Sequence, residues 1–208
     1  MADLILVRHG ETQGESSIRL YGSTDIELSE TGREQMKRAG EALSGMEFRS
    51  VASSPLKRSR EGAAIVSANS SVEPVAFDGL REIGFGLWEG WSLAEAEARD
   101  PVAFNLWKTT GTDFTFPGGE SKKGFFRRVA VAAAEIFPRL ETPALAVLHK
   151  GVIKGVLAGL AGTDPVDYAN SPVELGSIFR LNKSNGKWIV VSFNETDHLR
   201  ELRIPGSA

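Results

Sequence analysis

Arg8, His9 and Gly10 follow directly on a run of aliphatic residues, so that positions 4–11 read LILVRHGE. A cation, an imidazole and a glycine at the end of a buried strand suit phosphoryl transfer. A neutral His9 can take a phosphoryl group onto a ring nitrogen while Arg8 neutralises its oxygens, and Gly10 lets the backbone come close to the ligand. The same residues read equally well as an ordinary exit from strand to loop, because short motifs match by chance. A second junction of the same design lies at positions 144–151, where ALAVL runs into His149, Lys150 and Gly151 ahead of an apolar helix. There His149 can donate to a phosphoryl oxygen, assisted by the free N–H groups that open the helix; taken alone it reads more readily as structural. Arg58 falls in the first turns of a helix expected after Ser54-Pro55. A helix N-terminus already favours anions, so a cation there is misplaced unless an anion sits between them. Glu82 and Glu89 stand in LREIGFGLWEG, positions 80–90. A glutamate desolvated by aromatic neighbours has a raised pKa and can protonate a leaving alkoxide. The residues by themselves do not decide which of the two is the acid.

Elements that can position these groups are legible around them. Four apolar residues in a row predict a strand buried on both faces, as in a mostly parallel sheet, and such sheets bind ligands at the carboxyl ends of their strands. A polar loop over positions 12–25 carries Arg19. Ser29 caps a helix with Met36, Ala39, Gly40 and Leu43 on one face, ending near Gly45. Strands are expected at 50–53 and 72–77, with Pro55 at the first position of the intervening helix. Positions 92–110 are helical but broken at Asp100-Pro101, with Phe104 and Trp107 on one side. FTFPGGES, positions 114–121, feeds a helix striped with Phe126, Val129, Ala133 and Ile136. Asn185-Gly186 marks a hairpin between 175–182 and 187–194, an antiparallel edge to the sheet. Trp88 and Trp91 are assigned to packing, His198 to structure, Arg60 to the surface and the chain from Arg200 to a loose tail.

Composition excludes several kinds of chemistry. The 208 residues contain no cysteine, which removes disulfides, thiolate metal sites and a cysteine nucleophile and makes the three histidines conspicuous. With neither HxxxH nor HxH spacing, a di-metal phosphatase is not expected. A net charge of -3 argues against nucleic-acid or anionic-membrane partners. Nucleotide fingerprints fail as well: Gly84 and Gly86 lack a third glycine, and Phe125 stands where a P-loop needs lysine. One α/β domain over 1–208 is expected, and the lack of a basic leader or a spanning apolar stretch predicts a soluble cytoplasmic protein.

RHGET (8–12), SSPLKRSRE (53–61), LREIGFGLWEG (80–90) and LHKG (148–151), in that order, resemble the histidine phosphatase superfamily, also called phosphoglycerate mutase-like. LSETG at 28–32 and PGGES at 117–121 match its pattern too, and NETDHL at 194–199 resembles the ending of its small-phosphatase branch. The resemblance implies a three-layer αβα sandwich with a mixed, mainly parallel sheet, and a short cap around 85–120 that bears on substrate choice. It implies a metal-independent phosphomonoesterase with no cofactor, acting on a small phosphorylated substrate through a phosphohistidine. His9 would attack, Arg8, Arg58 and His149 would hold the phosphoryl oxygens, Arg19 and Gly10 would complete the phosphate pocket, and Glu82 would protonate the leaving group. Glu89 would then serve the loop's own hydrogen bonds. A phosphoglycerate mutase and a non-catalytic sensor of phosphorylated ligands stand as alternatives, and a homodimer is left open. Two positions depart from the pattern: Glu15 replaces the usual asparagine six residues after His9, and Lys150 a common glycine. The expectation drawn from this is a compensating Glu15–Lys150 salt bridge, closed to about 4 Å.

Overall fold

The computed structural model describes residues 3–202. Its six-stranded sheet runs in the order β3-β2-β4-β1-β5-β6. The strands are β1 Leu4–Arg8, β2 Ser50–Ser53, β3 Val75–Ala76, β4 Ala144–Leu148, β5 Ile178–Ser184 and β6 Lys187–Glu195. The first four in spatial order are parallel, whereas β5 runs antiparallel to β1 and β6 antiparallel to β5. This is the mixed, mainly parallel sheet expected.

The two-residue period of a strand divides β1 and β4 between two cores. Leu4, Leu6, Ala144, Ala146 and Leu148 face helices α5 (Lys122–Ile136) and α6 (Lys150–Ala161), and Ile5, Val7, Leu145 and Val147 face α1 (Glu30–Ala42) and α2 (Lys57–Val66). Three layers result, with both central strands fully enclosed. Among the described residues no helix is long and apolar enough to cross a membrane.

Local chemistry sets the boundaries. Ser29 caps α1 by accepting from the Gly32 N–H at 3.1 Å. The helix after Ser54-Pro55 starts later than expected, at Lys57, because the Ser54 hydroxyl takes the Leu56 N–H and Pro55 is used in the turn. Arg58 consequently lies in the first helical turn. In the cap, α3 (Leu93–Arg99) opens on a Ser92–Glu95 capping box, and Asp100 both ends α3 and caps α4 (Pro101–Thr109). Trp88 is wholly buried there against Phe104, Phe114 and Phe116.

On α5 it is Phe125, not Phe126, that leads the buried stripe with Val129, Ala132 and Ala133. The Phe125 ring lies where a side chain on Gly151 would come within 3.1 Å of it, so the two positions fit together. The strand expected over 72–77 shrinks to Val75–Ala76, two exposed residues at the sheet edge. Asn185 and Gly186 both have left-handed backbone, φ 51° and 76°, as a type I′ hairpin requires. Residues 197–202 form a 3-10 turn anchored by buried Leu199, and the rest of the expected loose tail lies outside the described residues.

Candidate active site

The register of β1 on β4 pairs Arg8 with Leu148, so His9 and His149 are the next residues on neighbouring parallel strands. Parallel strands lie about 4.8 Å apart, which already sets the separation of the two rings. Their centroids are 5.0 Å apart, and the His9 N–H donates to the Leu148 carbonyl at 2.9 Å. On the other side of β4, the turn after β2 delivers Arg58, whose Nε donates to His149 Nδ1 at 3.3 Å. Its other nitrogens donate to the carbonyls of Tyr21, Gly22 and Thr24, which fixes the guanidinium and ties the loop over the strand ends to α2. Glu82 reaches the same place from the other core. Its carboxylate accepts the N–H groups of Ile83 and Gly151, each at 2.9 Å. One of the free N–H groups expected at the start of α6 therefore serves the acid. Gly151 is needed for this, since a side chain there would sit 2.6 Å from a Glu82 oxygen.

The hydrogen bonds assign the ring protons. A carbonyl can only accept, so the 2.7 Å contact to Gly10 O puts the proton of neutral His9 on Nδ1 and leaves the Nε2 lone pair free. Arginine can only donate, so His149 Nδ1 is an acceptor and its proton is on Nε2. Both rings are held well below the ordinary histidine pKa: burial comes first, then the Arg58 charge, followed by Arg8 for His9 and by His9 and Arg8 for His149. Burial also lowers Arg8 and Arg58, each to about 10, so both stay cationic at neutral pH. Arg8 Nη1 donates to the Val173 carbonyl at 2.7 Å, but Arg8 Nε and His149 Nε2 are buried with no partner. An unmet buried donor costs about 1–3 kcal/mol, so two of them beside a free imidazole lone pair mark the seat of an anion.

Other expected site residues are disposed differently. Arg19 turns away into the cap, where Nη1 donates to the Gly90 carbonyl and to Glu95, both at 2.8 Å. A side chain on Gly10 would strike the Gly32 backbone, 2.3 Å from its carbonyl oxygen, so Gly10 permits the close approach of α1. Glu89 is saturated by donors from Gly22, Ser23, Thr24 and Phe85 and holds the loop, as expected of it. The Glu15–Lys150 bridge does not form. Glu15 is exposed and its carboxylate lies 3.9 Å from Arg19 Nε, an i,i+4 neighbour, while no ion pair joins it to Lys150. Glu15 stands in the loop after β1 and Lys150 opens α6, both exposed, and exposed charges gain little from pairing.

Glu15 also has a left-handed backbone, φ 62°. That conformation costs most residues about 1–2 kcal/mol and asparagine less. Glu15→Asn is therefore expected to raise the thermal midpoint by about 1–3 °C, after loss of a weak exposed ion pair. Differential scanning calorimetry reads this directly, and an unchanged or lower midpoint would show that the strain is relieved elsewhere.

Sequence reasoning passed over Lys122 and Lys154, which border the acid's side of the site. Lys154 had a signal: a lone cation in the apolar run VIKGVLAG, one turn after Lys150. Among the described residues no three His, Asp or Glu side chains gather as a metal site.

Known proteins are similar to this chain over nearly its whole length. Phosphoserine phosphatase 1 of Hydrogenobacter thermophilus is 28% identical over 205 residues, 98% of this chain and 97% of the relative. Phosphoglycerate mutase-like protein 4 of Arabidopsis thaliana is 32% identical over 206 residues, 96% and 88% of the two chains. The crystal structure of phosphoserine phosphatase from Entamoeba histolytica in complex with 3-phosphoglyceric acid is similar with a TM-score of 0.79 at 27% identity, covering 96% of this chain and 100% of that one. Residues 4–196, from the first strand through the hairpin, match the family model of the histidine phosphatase superfamily (branch 1), and the chain belongs to that family.

Proposed function

We propose that the chain is a metal-independent phosphomonoesterase for a small phosphorylated metabolite in the cytoplasm, working through a phosphohistidine on His9. The observation that carries this is the pair of unmet buried donors, Arg8 Nε and His149 Nε2, around an imidazole whose proton is fixed on Nδ1. The His9 Nε2 lone pair attacks phosphorus as the bond to the leaving oxygen breaks, and the Glu82 carboxyl gives that oxygen its proton. Arg8, Arg58 and His149 stabilise the phosphoryl oxygens, guanidinium charge supplying what a metal supplies elsewhere. Water then attacks the phosphohistidine, Glu82 takes its proton, and inorganic phosphate leaves.

The phosphatase names among the relatives support hydrolysis, and the mutase-like name of the Arabidopsis relative keeps transfer to a second hydroxyl as the competing outcome. Phosphate release from 4-nitrophenyl phosphate in the presence of a chelator is the test. Chelator-insensitive release is expected. Phosphate binding without release would make the chain a sensor, and interconversion of phosphoglycerates faster than their hydrolysis would make it a mutase.

A further inference from the structure

Lys150 and Lys154 stand one turn apart on α6, and neither forms an ion pair with a described carboxylate. Like charges at that spacing destabilise a helix, and Lys154 is nearly buried, its Nζ donating to the Ala169 carbonyl at 2.6 Å. Burial first, then the charges of Lys150 and Arg8, lower its pKa to about 8 against the weaker pull of Glu82. A cation kept under such conditions has an unmet need for negative charge.

Lys154 lines a cavity of about 310 Å³ between the cap and α6, walled by Phe85, Trp107, Phe116, Phe126 and Val166. Ile83 and Gly151, whose N–H groups hold the Glu82 carboxylate, line it as well. The cavity thus adjoins the group that protonates the leaving oxygen. From the cap side Lys122 joins the lining, its ammonium 5.3 Å from the Trp107 ring centre and 5.6 Å from that of Phe114, again without an ion pair. Apolar walls with few polar groups are the usual form of a small-molecule site, in which the polar groups set orientation.

We propose that this cavity receives the leaving group, and that the leaving group is a flat apolar body carrying a carboxylate read by Lys154 and Lys122. The inference rests on the proposed phosphatase activity and adds the substrate's second recognition element. Two esters of matched shape test it: 4-carboxyphenyl phosphate and its neutral counterpart, 4-carbamoylphenyl phosphate. The protein should favour the carboxylate in kcat/KM by about ten-fold, the scale of one charge-assisted hydrogen bond. Lys154→Met and Lys122→Met should each erase most of that preference, chiefly through KM for the carboxylate ester. Equal hydrolysis of the two esters by the unaltered protein would overturn the proposal and leave the phosphatase standing. Equal losses on both esters in the variants would also overturn it, since they assign the lysines to structure. Calorimetric binding of 4-hydroxybenzoate against 4-hydroxybenzamide reads the same preference without turnover, so failure to hydrolyse any phosphomonoester would overturn the activity alone.

Discussion

His9→Ala should abolish turnover, with kcat reduced by at least about 10⁴-fold, the scale on which removal of a covalent nucleophile acts. The expectation follows from position as well as chemistry. His9 is held by the β1–β4 register, its backbone N–H is fixed on Leu148, and its ring is aimed by the Nδ1 contact to Gly10. Burial and two arginines keep the ring neutral, so the lone pair is available through the range in which an exposed histidine would be partly protonated. Brief mixing of the unaltered protein with a radiolabelled phosphomonoester, followed by denaturation, should trap acid-labile, base-stable label on His9, and none in the variant. No other histidine is set up in the same way: His149 Nδ1 accepts from Arg58 and its Nε2 carries the proton, and His198 Nε2 is taken up by the Gly176 carbonyl at 3.0 Å. Full activity in His9→Ala would end the phosphohistidine mechanism outright.

What the sequence made legible follows from how each feature is encoded. β1 and β4 were readable because a strand buried on both faces is written as an unbroken apolar run, and Asn185-Gly186 because left-handed backbone at two successive residues restricts the residue types. The pairing of His9 with His149 was foreshadowed by two junctions of similar design, although only the strand order, with β4 inserted between β1 and β2, makes them neighbours. Side-chain direction was not legible. Arg19 has the right type and spacing for the phosphate pocket, yet Glu95 and the Gly90 carbonyl, contributed by the cap, draw it away. Nor do Glu15 and Lys150 meet, because a charge difference in sequence carries no information on which way two exposed side chains point. Gly10 was expected to let the backbone come close to a ligand, and the group found close to it is the backbone of Gly32. Lys154 was hidden for a related reason: a helix pattern reveals that a cation sits on an apolar face, not that the face borders a cavity.

Glu82→Gln should separate the acid's role from its role as a structural acceptor. Both carboxylate oxygens of Glu82 receive a backbone N–H, from Ile83 and from Gly151, so the amide nitrogen of glutamine must confront one of those donors. That conflict costs about 1–3 kcal/mol and harms all substrates alike if it disturbs the site. Loss of the acid, in contrast, depends on the leaving group. An alkyl ester, whose alkoxide needs its proton as the bond breaks, should lose about 10²–10⁴-fold in kcat/KM, which reports the phosphorylation step and not the later water attack that Glu82 also assists, whereas 4-nitrophenyl phosphate, whose phenolate leaves unaided, should lose far less. The pH profiles carry the same contrast. Burial raises the Glu82 pKa against the opposing pull of the two N–H groups, Arg58 and Arg8, so the carboxyl keeps its proton above the ordinary glutamate range. Alkyl-ester hydrolysis by the unaltered protein should fall as pH rises through that raised value, because the deprotonated form cannot donate. The 4-nitrophenyl kcat/KM should be flat there, and the falling limb should vanish from the alkyl kcat/KM profile of the variant. Glu89 offers no substitute, since its carboxylate is occupied by donors from Gly22, Ser23, Thr24 and Phe85. Equal losses on the two esters, with both pH profiles unchanged in shape, would reduce Glu82 to a positioning residue that holds the first turn of α6 in place.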